Sequence, residues 1–67
     1  MSLGQLIAAQ RKKLMLTQEE LAKKLRVSKS AIAKWETDGG IPERDNLYKL
    51  AEVLNIPIKT MFQVINQ

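Results

Sequence analysis

Apolar residues recur three and four positions apart along most of the chain, which is the spacing of one face of an α-helix. Turn residues interrupt this pattern four times, so it predicts five helices of about 2–14, 17–25, 29–36, 44–54 and 58–65. The residues expected on the faces that pack together are Leu3, Ile7, Gln10 or Arg11, Leu14, Leu21, Ala22, Leu25, Ala31, Ile32, Trp35, Leu47, Leu50, Ala51, Leu54, Ile58, Met61, Phe62 and Ile65. The chain is therefore expected to be all-α.

Capping residues mark the starts of three of these helices. Ser2 with Gln5, and Thr17 with Glu20, have the spacing of a capping box, in which each side chain binds the backbone N–H of the other residue. Ser28 is a typical N-cap for the third helix. The first three helices are thus predicted from two independent signals, the apolar period and the cap.

The connection between the second and third helices is only three residues long, Arg26–Ser28. Such a short break forces the two helices to cross steeply, as in a helix-turn-helix. Turn residues follow in 37–42, and Asn55, which tolerates left-handed backbone, is placed to close the fourth helix. With no internal repeat or linker, we expect one domain over 1–67 with its helix-turn-helix at about 17–36.

Composition narrows the function classes. The 67 residues are 45% hydrophobic, enough for a small core, and the formal net charge of +4 suits a polyanionic partner, although solvated lysines give the same charge. Cys and His are absent, so we expect no disulfide, no metal site and no cofactor. No apolar run has the length of a signal-peptide core or a membrane span, which predicts a soluble, cytoplasmic protein.

One set of residues, spread over nearly the whole chain, forms a recognisable pattern. Its members are Arg11, Leu16-Thr17-Gln18-Glu19-Glu20-Leu21-Ala22, Leu25, Val27-Ser28, Ile32, Trp35-Glu36, Pro42, Leu47 and Leu50-Ala51 through Leu54. Its most specific part is Thr-Gln-Glu-Glu-Leu-Ala, with a Ser seven residues after the Leu and Trp-Glu seven residues further on. This pattern resembles the phage-repressor and Cro-like (Xre-type) family of helix-turn-helix regulators. The resemblance implies a compact five-helix, lambda-repressor-like domain that places its third helix in the major groove of duplex DNA.

The resemblance also implies DNA contacts. Gln18, in the first turn of the second helix, and Arg44, at the start of the fourth, are where the family contacts the phosphate backbone. Alternatives remain open, because Gln18 also suits an exposed first turn and Arg44 has acidic neighbours at Glu43 and Asp45.

The third helix is expected to read the bases. The candidate residues on and beside its exposed face are Ser28, Lys29, Ser30, Ala33, Lys34 and Thr37. Lys can donate to guanine O6 and N7, and the Ala33 methyl group suits a thymine methyl, with Lys34 the strongest single candidate. Ordinary solvated lysines at 29 and 34 are the alternative.

Two further positions are expected to be structural. In the resembled family, the residues at Arg11 and Glu36 form an ion pair that ties the first helix to the end of the third. Trp35 could stack on a base, but its helical register with Ile32 favours packing in the core.

The chain departs from the family pattern at three turns. Met15, Arg26 and Asp38 stand where family members often have Gly, and a non-Gly residue at positive φ is uncommon. Either these turns adopt another geometry, with Gly39-Gly40 taking over after the third helix, or the backbone is modestly strained.

The function predicted from these observations is a sequence-specific regulator of transcription, a repressor that binds a palindromic operator as a homodimer. The candidate dimer contact is the C-terminal helix at Val64 and Ile65, or else a C-terminal domain that this chain lacks.

The alternative is a protein-interaction module of the same fold, an antitoxin or bridging coactivator with secondary DNA binding. An enzyme is not expected, because adjacent Glu19 and Glu20 cannot face one another and Gly39-Gly40 lacks the Lys-Ser/Thr of a phosphate loop.

Overall fold

The computed structural model describes residues 1–66, and within that range the chain forms helices and turns without a strand. The helices are α1 (Leu3–Lys13), α2 (Gln18–Leu25), α3 (Lys29–Glu36), α4 (Arg44–Leu54) and α5 (Ile58–Ile65). The all-α, five-helix prediction is confirmed. Gln67, the last residue of the predicted domain, lies outside the described residues. None of the five helices is long and apolar enough to cross a membrane.

The predicted caps account for the helix starts. The Ser2 hydroxyl accepts the Gln5 N–H at 3.1 Å, and the Gln5 side chain accepts the Ser2 N–H at 2.9 Å. Thr17 and Glu20 form the same reciprocal pair at 3.0 and 2.8 Å. Because Ser2 and Thr17 are caps with extended backbone, α1 and α2 begin one residue later than the apolar pattern predicts.

All five helices contribute to one apolar core. Its most deeply buried side chains are Ile7, Leu21, Leu25, Ile32, Leu50, Leu54 and Met61. Trp35 is only 9% exposed, so it packs in the core as predicted. Burying a large apolar side chain stabilises a fold by about 1.5–3 kcal/mol, which makes this cluster the main source of stability.

Several core predictions need correction. Leu14 is 37% exposed, because α1 ends at Lys13 and Leu14 is its C-cap, turned away from the buried face. Ile56, in the turn after α4, is buried although it belongs to no helical pattern. The predicted core residues that are only partly buried are Ala31, Ile58, Phe62 and Ile65. Phe62 meets the half-exposed Tyr48 edge to face, with 6.1 Å between ring centres.

Among the described residues, four turns contain a non-glycine residue with left-handed backbone. Their φ angles are 60° at Met15, 59° at Arg26, 61° at Asp38 and 56° at Asn55. Asn55 closes α4 as predicted. Of the two geometries open at the other three positions, the chain adopts the strained one, and neither Gly39 nor Gly40 takes over with a positive φ. The left-handed conformation costs an ordinary L-residue roughly 1–2 kcal/mol, and Asp and Asn less.

Candidate nucleic-acid interface

Helices α2 and α3 are held together by their shared core and by the turn between them. Leu21 and Leu25 of α2 pack with Ile32 of α3 in the apolar cluster. The turn is closed by the Val27 N–H, which donates to the carbonyl of Ala22 at 3.0 Å. Ser28 then caps α3 by accepting the Ala31 N–H at 3.1 Å. The crossing of the two helices is therefore fixed, and the far side of α3 stays on the surface.

That outer face of α3 carries most of the predicted base-reading residues. Lys29, Ser30 and Lys34 are exposed, and Ala33 between them is partly covered. Ile32 and Trp35 occupy the opposite, buried side. The outer face thus offers two ammonium groups, one hydroxyl group and one methyl group, all accessible from outside.

Lys34 lies against the loop that follows α3. A Cβ atom added to Gly39 would lie 3.0 Å from Lys34 Cγ, and one added to Gly40 would lie 3.1 Å from Lys34 Cε. The aliphatic stem of Lys34 therefore runs over the two glycines, which accommodate it by having no side chains. This close approach, rather than a left-handed turn, is what Gly39 and Gly40 provide.

Thr37 is exposed, but its hydroxyl proton is engaged. Thr37 Oγ1 donates to the carbonyls of Ala33 and Lys34, at 3.0 and 3.2 Å. In this conformation the hydroxyl oxygen can accept a hydrogen bond but cannot donate one to a phosphate.

A cluster of polar side chains joins α1, α2 and α3 beside this face. Arg11 Nε donates to Glu36 Oε2 at 2.6 Å and its terminal nitrogen donates to Oε1 at 3.1 Å, a bidentate pair. The other terminal nitrogen of Arg11 donates to the carbonyl of Leu16 at 2.7 Å. The two charged side chains are only 10% and 7% exposed. Arg11 and Glu36 thus form the ion pair that the family resemblance implied.

Gln18 completes the cluster. Its side-chain Nε2 donates to Glu36 Oε1 at 3.0 Å, and the residue is partly buried. Gln18 is therefore not a freely solvated first-turn residue, and one of its amide protons is committed to Glu36. The first N–H groups of α2 have no acceptor within the helix, as at any helix start, and Thr17 satisfies the one on Glu20.

The pKa of Glu36 reflects these contacts. Burial raises the pKa of this carboxyl. Hydrogen bonds from Arg11 and Gln18 and the nearby charges of Arg11 and Lys12 lower it by more than burial raises it, so the pKa of Glu36 lies below the ordinary value. Glu36 is therefore ionised at neutral pH and holds its partners as an anion.

Arg44 is exposed as the first residue of α4. The preceding N-cap residue, Glu43, makes no side-chain cap hydrogen bond, and Asp45 follows in the first turn. Both carboxylates suit the positive end of the helix dipole, and they weaken the local positive potential at Arg44.

Lys12 is a candidate that the sequence reasoning missed. It is exposed at the end of α1, and its charge is close enough to Glu36 to help lower the pKa of that carboxyl. In the sequence it belongs to a basic run that closes the first helix. The sequence did contain a signal for it. Lys12 follows Arg11, and Arg11 was expected to pair with Glu36 at the end of the third helix, which places Lys12 near that helix.

A family model described as helix-turn-helix matches residues 7–60 of the chain. The protein belongs to this helix-turn-helix family. Among curated relatives, the chain is 34% identical over 58 residues to the cryptic phage CTXphi transcriptional repressor RstR of Vibrio cholerae, covering 87% of this chain and 52% of RstR. It is 37% identical over 54 residues to the transcriptional regulator DicA of Escherichia coli, covering 81% of this chain and 40% of DicA.

The transcriptional activator BcrR of Enterococcus faecalis is also similar, at 42% identity over 43 residues, which cover 64% of this chain and 21% of BcrR. This helix-turn-helix chain thus spans about half or less of the length of the curated relatives it matches. The resemblance to phage repressors is confirmed.

Solved structures agree with the family assignment. The P22 c2 repressor in complex with a synthetic operator matches with a TM-score of 0.86 and 34% identity, covering 91% of this chain and 92% of the repressor chain. SinR, the master regulator for biofilm formation, in complex with DNA matches with a TM-score of 0.80 and 31% identity, covering 90% and 97%. The lambda-repressor-like fold is therefore confirmed.

Two of the surface clefts formed by residues 1–66 have no α3 residue in their lining. One, of about 440 Å³, is lined by Met1, Ser2, Leu3, Ile41, Val64 and Ile65 and contains both residues of the predicted dimer contact. The other, of about 340 Å³, is lined by Lys24, Arg26, Lys49, Glu52 and Val53. Within residues 1–66, no group of three or more acidic side chains is placed to hold a metal ion.

Proposed function

We propose that this chain is a transcriptional regulator that binds a specific sequence of double-stranded DNA with α3 in the major groove. The observation that carries the proposal is the outer face of α3, which is basic, exposed and rigidly held on a fold shared with two regulators solved in complex with DNA. The names of the relatives support regulation of transcription over an enzymatic role. Two similar proteins, RstR and P22 c2, are named repressors and one, BcrR, is named an activator, so the comparisons favour repression, by occupying DNA that polymerase needs.

Base reading in this proposal belongs to the outer face of α3. Lys29, Ser30 and Lys34 bring hydrogen-bond donors to base edges, and Ala33 lets the helix approach closely. Because Lys34 is braced over Gly39 and Gly40, less of its freedom is lost when it binds.

Phosphate contacts frame the helix. Gln18 donates a hydrogen bond to phosphate through its second amide proton, and Ser28 donates one through its hydroxyl group. The positively charged side chains of Arg44 and Lys12 attract phosphate electrostatically. Thr37 takes part only through a water molecule or after its hydroxyl rotates, since that proton is bonded within α3.

We further propose that the DNA-bound form is a homodimer whose two copies meet at the cleft containing Val64 and Ile65. Ile41, at 66% exposed, and Met1 add apolar surface there. Two-fold symmetry would place the two α3 helices about 34 Å apart, on successive turns of a palindromic site.

The first test is selection of bound duplexes from a random pool, followed by titration of the recovered duplex over a range of salt. We expect a two-fold symmetric motif, and an affinity that falls steeply as salt rises because Lys and Arg displace counterions. Recovery of no motif, with only weak binding at low salt, would contradict the proposal.

Lys34→Ala tests the base-reading role against Lys59→Ala on α5 as a matched loss of charge. If Lys34 reads a base, its removal weakens binding to the recovered duplex by about 1–3 kcal/mol and relaxes the preference at one base pair. If the preference is intact and only the salt dependence falls, Lys34 contacts phosphate instead.

The second candidate function is a protein-interaction module, and the exposed apolar lining of the first cleft favours it. In that case the cleft, rather than α3, is the main binding surface. This alternative would be supported by a failed duplex selection together with a protein partner that binds the parent and does not bind Ile41→Asp.

A further inference from the structure

The end of α3 touches α1 at a second place besides the ion pair. Asp38, two residues beyond α3, accepts the backbone N–H of Gly4 through Oδ1 at 3.0 Å, across 34 residues of chain. Gly4 lies in the first turn of α1, where backbone N–H groups have no acceptor within the helix. Ser2 satisfies the neighbouring Gln5 N–H, so Asp38 completes a cap that the local sequence only begins.

The two helix ends meet without space for a side chain. A Cβ atom on Gly4 would lie 2.5 Å from the carbonyl oxygen of Trp35 and 2.6 Å from that of Glu36. The N-terminal end of α1 therefore rests directly on the last carbonyls of α3. Such a backbone contact leaves little room for the two helices to slide.

Asp38 makes this contact from a left-handed position with φ of 61°. A glycine adopts that conformation without strain, so the backbone alone does not favour a carboxylate there. The carboxylate instead lies at the positive end of the α1 dipole. Hydrogen bonds from the Ser2 hydroxyl and the Gly4 N–H hold the pKa of Asp38 below its usual range, consistent with a bound anion.

We infer that Asp38 is a positioning residue that sets the direction of α3 on the body of the domain. Glu36 and Asp38 anchor one end of α3 to Arg11 and to Gly4, which are seven residues and about 10 Å apart along α1. Ile32 and Trp35 already seat α3 in the core, and these two attachments keep its C-terminal end from turning about either one. Asp38 therefore affects which DNA sequence is read without touching DNA, a consequence that rests on the proposed function.

Three forms of the protein test this inference: the parent, Asp38→Gly and Asp38→Asn. Glycine removes the acceptor but relaxes the backbone, whereas asparagine keeps an acceptor oxygen and tolerates the left-handed conformation. The measurements are the angle between α1 and α3 from residual dipolar couplings, hydrogen exchange at the Gly4 amide, and affinities for the selected duplex and for a scrambled duplex of equal length.

For Asp38→Gly we expect a melting temperature close to that of the parent, a changed α1–α3 angle and exchange at Gly4 about tenfold faster. The ratio of selected to scrambled affinity should fall about fivefold, since a recognition helix tolerates little misplacement. Asp38→Asn should restore the angle and bring the ratio to within about twofold of the parent, a rescue that a direct charge contact with DNA would not show.

An unchanged angle and ratio in Asp38→Gly would overturn the inference, as would a loss of ratio that asparagine does not rescue. If the glycine variant does not fold, the comparison is repeated with Arg26→Gly added to all three forms, to relax a second strained turn. If the parent selects no duplex, the proposed function fails, while the helix angle and Gly4 exchange still decide whether Asp38 positions α3.

Discussion

The four residues with left-handed backbone differ in the interactions that offset the cost of that conformation. Asp38 makes a hydrogen bond to Gly4 from that conformation, and Asn55 is a residue type that tolerates it. Met15 is 89% exposed and Arg26 is exposed, so neither gains core packing in return. These two positions are therefore where the backbone is easiest to improve.

We expect Arg26→Gly to raise the free energy of unfolding by about 0.5–1 kcal/mol, because glycine occupies the left-handed region without a Cβ penalty. Urea titration measures this change. Lys24→Gly is the matched control, since it removes one positive charge inside α2 and should lower stability by about 1 kcal/mol. Equal effects of the two variants would contradict the strain argument.

Glu36→Gln is expected to lower the free energy of unfolding by about 1.5–3 kcal/mol, because the bidentate charged pair with Arg11 is lost in a nearly buried site. For a domain of this size the melting temperature should fall by roughly 8–15 °C, as measured by circular dichroism. Exposed Glu52→Gln should melt close to the parent. An unchanged melting temperature in Glu36→Gln would rule out a structural role for the pair.

The glycines offer a similar contrast. Gly4→Ala forces a methyl group against two backbone carbonyls, which cannot move aside, and we expect a loss of about 1–3 kcal/mol. At Gly40 the nearest atoms belong to the flexible Lys34 stem, so Gly40→Ala should cost much less. Thermal unfolding of the two variants compares them, and equal losses would mean that the α1–α3 contact is looser than described.

At the scale of whole elements, three carboxylates hold helix ends in place. Glu20 serves the start of α2, Asp38 the start of α1, and Glu36 the junction of all three N-terminal helices. The pKa of each is below its ordinary value, and hydrogen bonds to the folded chain are the largest lowering cause.

The sign of the resulting pH dependence follows from that direction. Below pH 4.5, the ordinary value for a glutamate, the unfolded chain takes up protons before the folded one does, so protonation favours unfolding. We expect a constant melting temperature from neutral pH down to about pH 5, and a progressive fall below it. The fall should be smaller in Glu36→Gln, and equal falls in the two proteins would contradict this account.

Helix positions and caps were predictable because they depend on residues three or four apart. Ser2, Thr17 and Ser28 cap as their spacing predicts, and the apolar period located every helix within one residue of its observed start. Ile56 escaped prediction because a turn residue has no helical period. The Gly4–Asp38 contact and the turn of Gln18 toward Glu36 join residues far apart in sequence, and only the packing of α1 on α3 creates them.

The positions of the left-handed turns were predictable from the sequence, but their backbone conformation was not. The unusual residues at 15, 26 and 38 marked the positions, but local sequence could not decide between strain and a different turn, since the balance depends on the packing that follows each helix. For the DNA contacts, the outer face of α3 follows from the period. Which side chains reach DNA is a prediction that the duplex experiments decide.

At the scale of the molecule, size bears on how DNA is read. The described residues extend 28 × 22 × 20 Å, less than the roughly 34 Å that separates equivalent positions on successive turns of duplex DNA. In the proposed DNA complex, one copy of the described residues therefore reaches one half-site only. A palindromic motif in the duplex selection would require a second copy.

Ile41→Asp should weaken the proposed homodimer. Ile41 is largely exposed and lines the cleft that contains Val64 and Ile65, and it does not belong to the core. We expect affinity for a full palindrome to fall at least about tenfold, since the second copy no longer adds its effective concentration. Affinity for a single half-site should stay near that of the parent. Sedimentation on DNA counts the copies, and an unchanged dimer would move the interface elsewhere.

The cleft that contains Val64 and Ile65 also contains Met1, so the first residue lies beside the end of α5. This adjacency makes tag placement an experimental variable. A purification tag fused ahead of Met1 would occupy the surface proposed for the second copy, so oligomeric state should be measured after its removal.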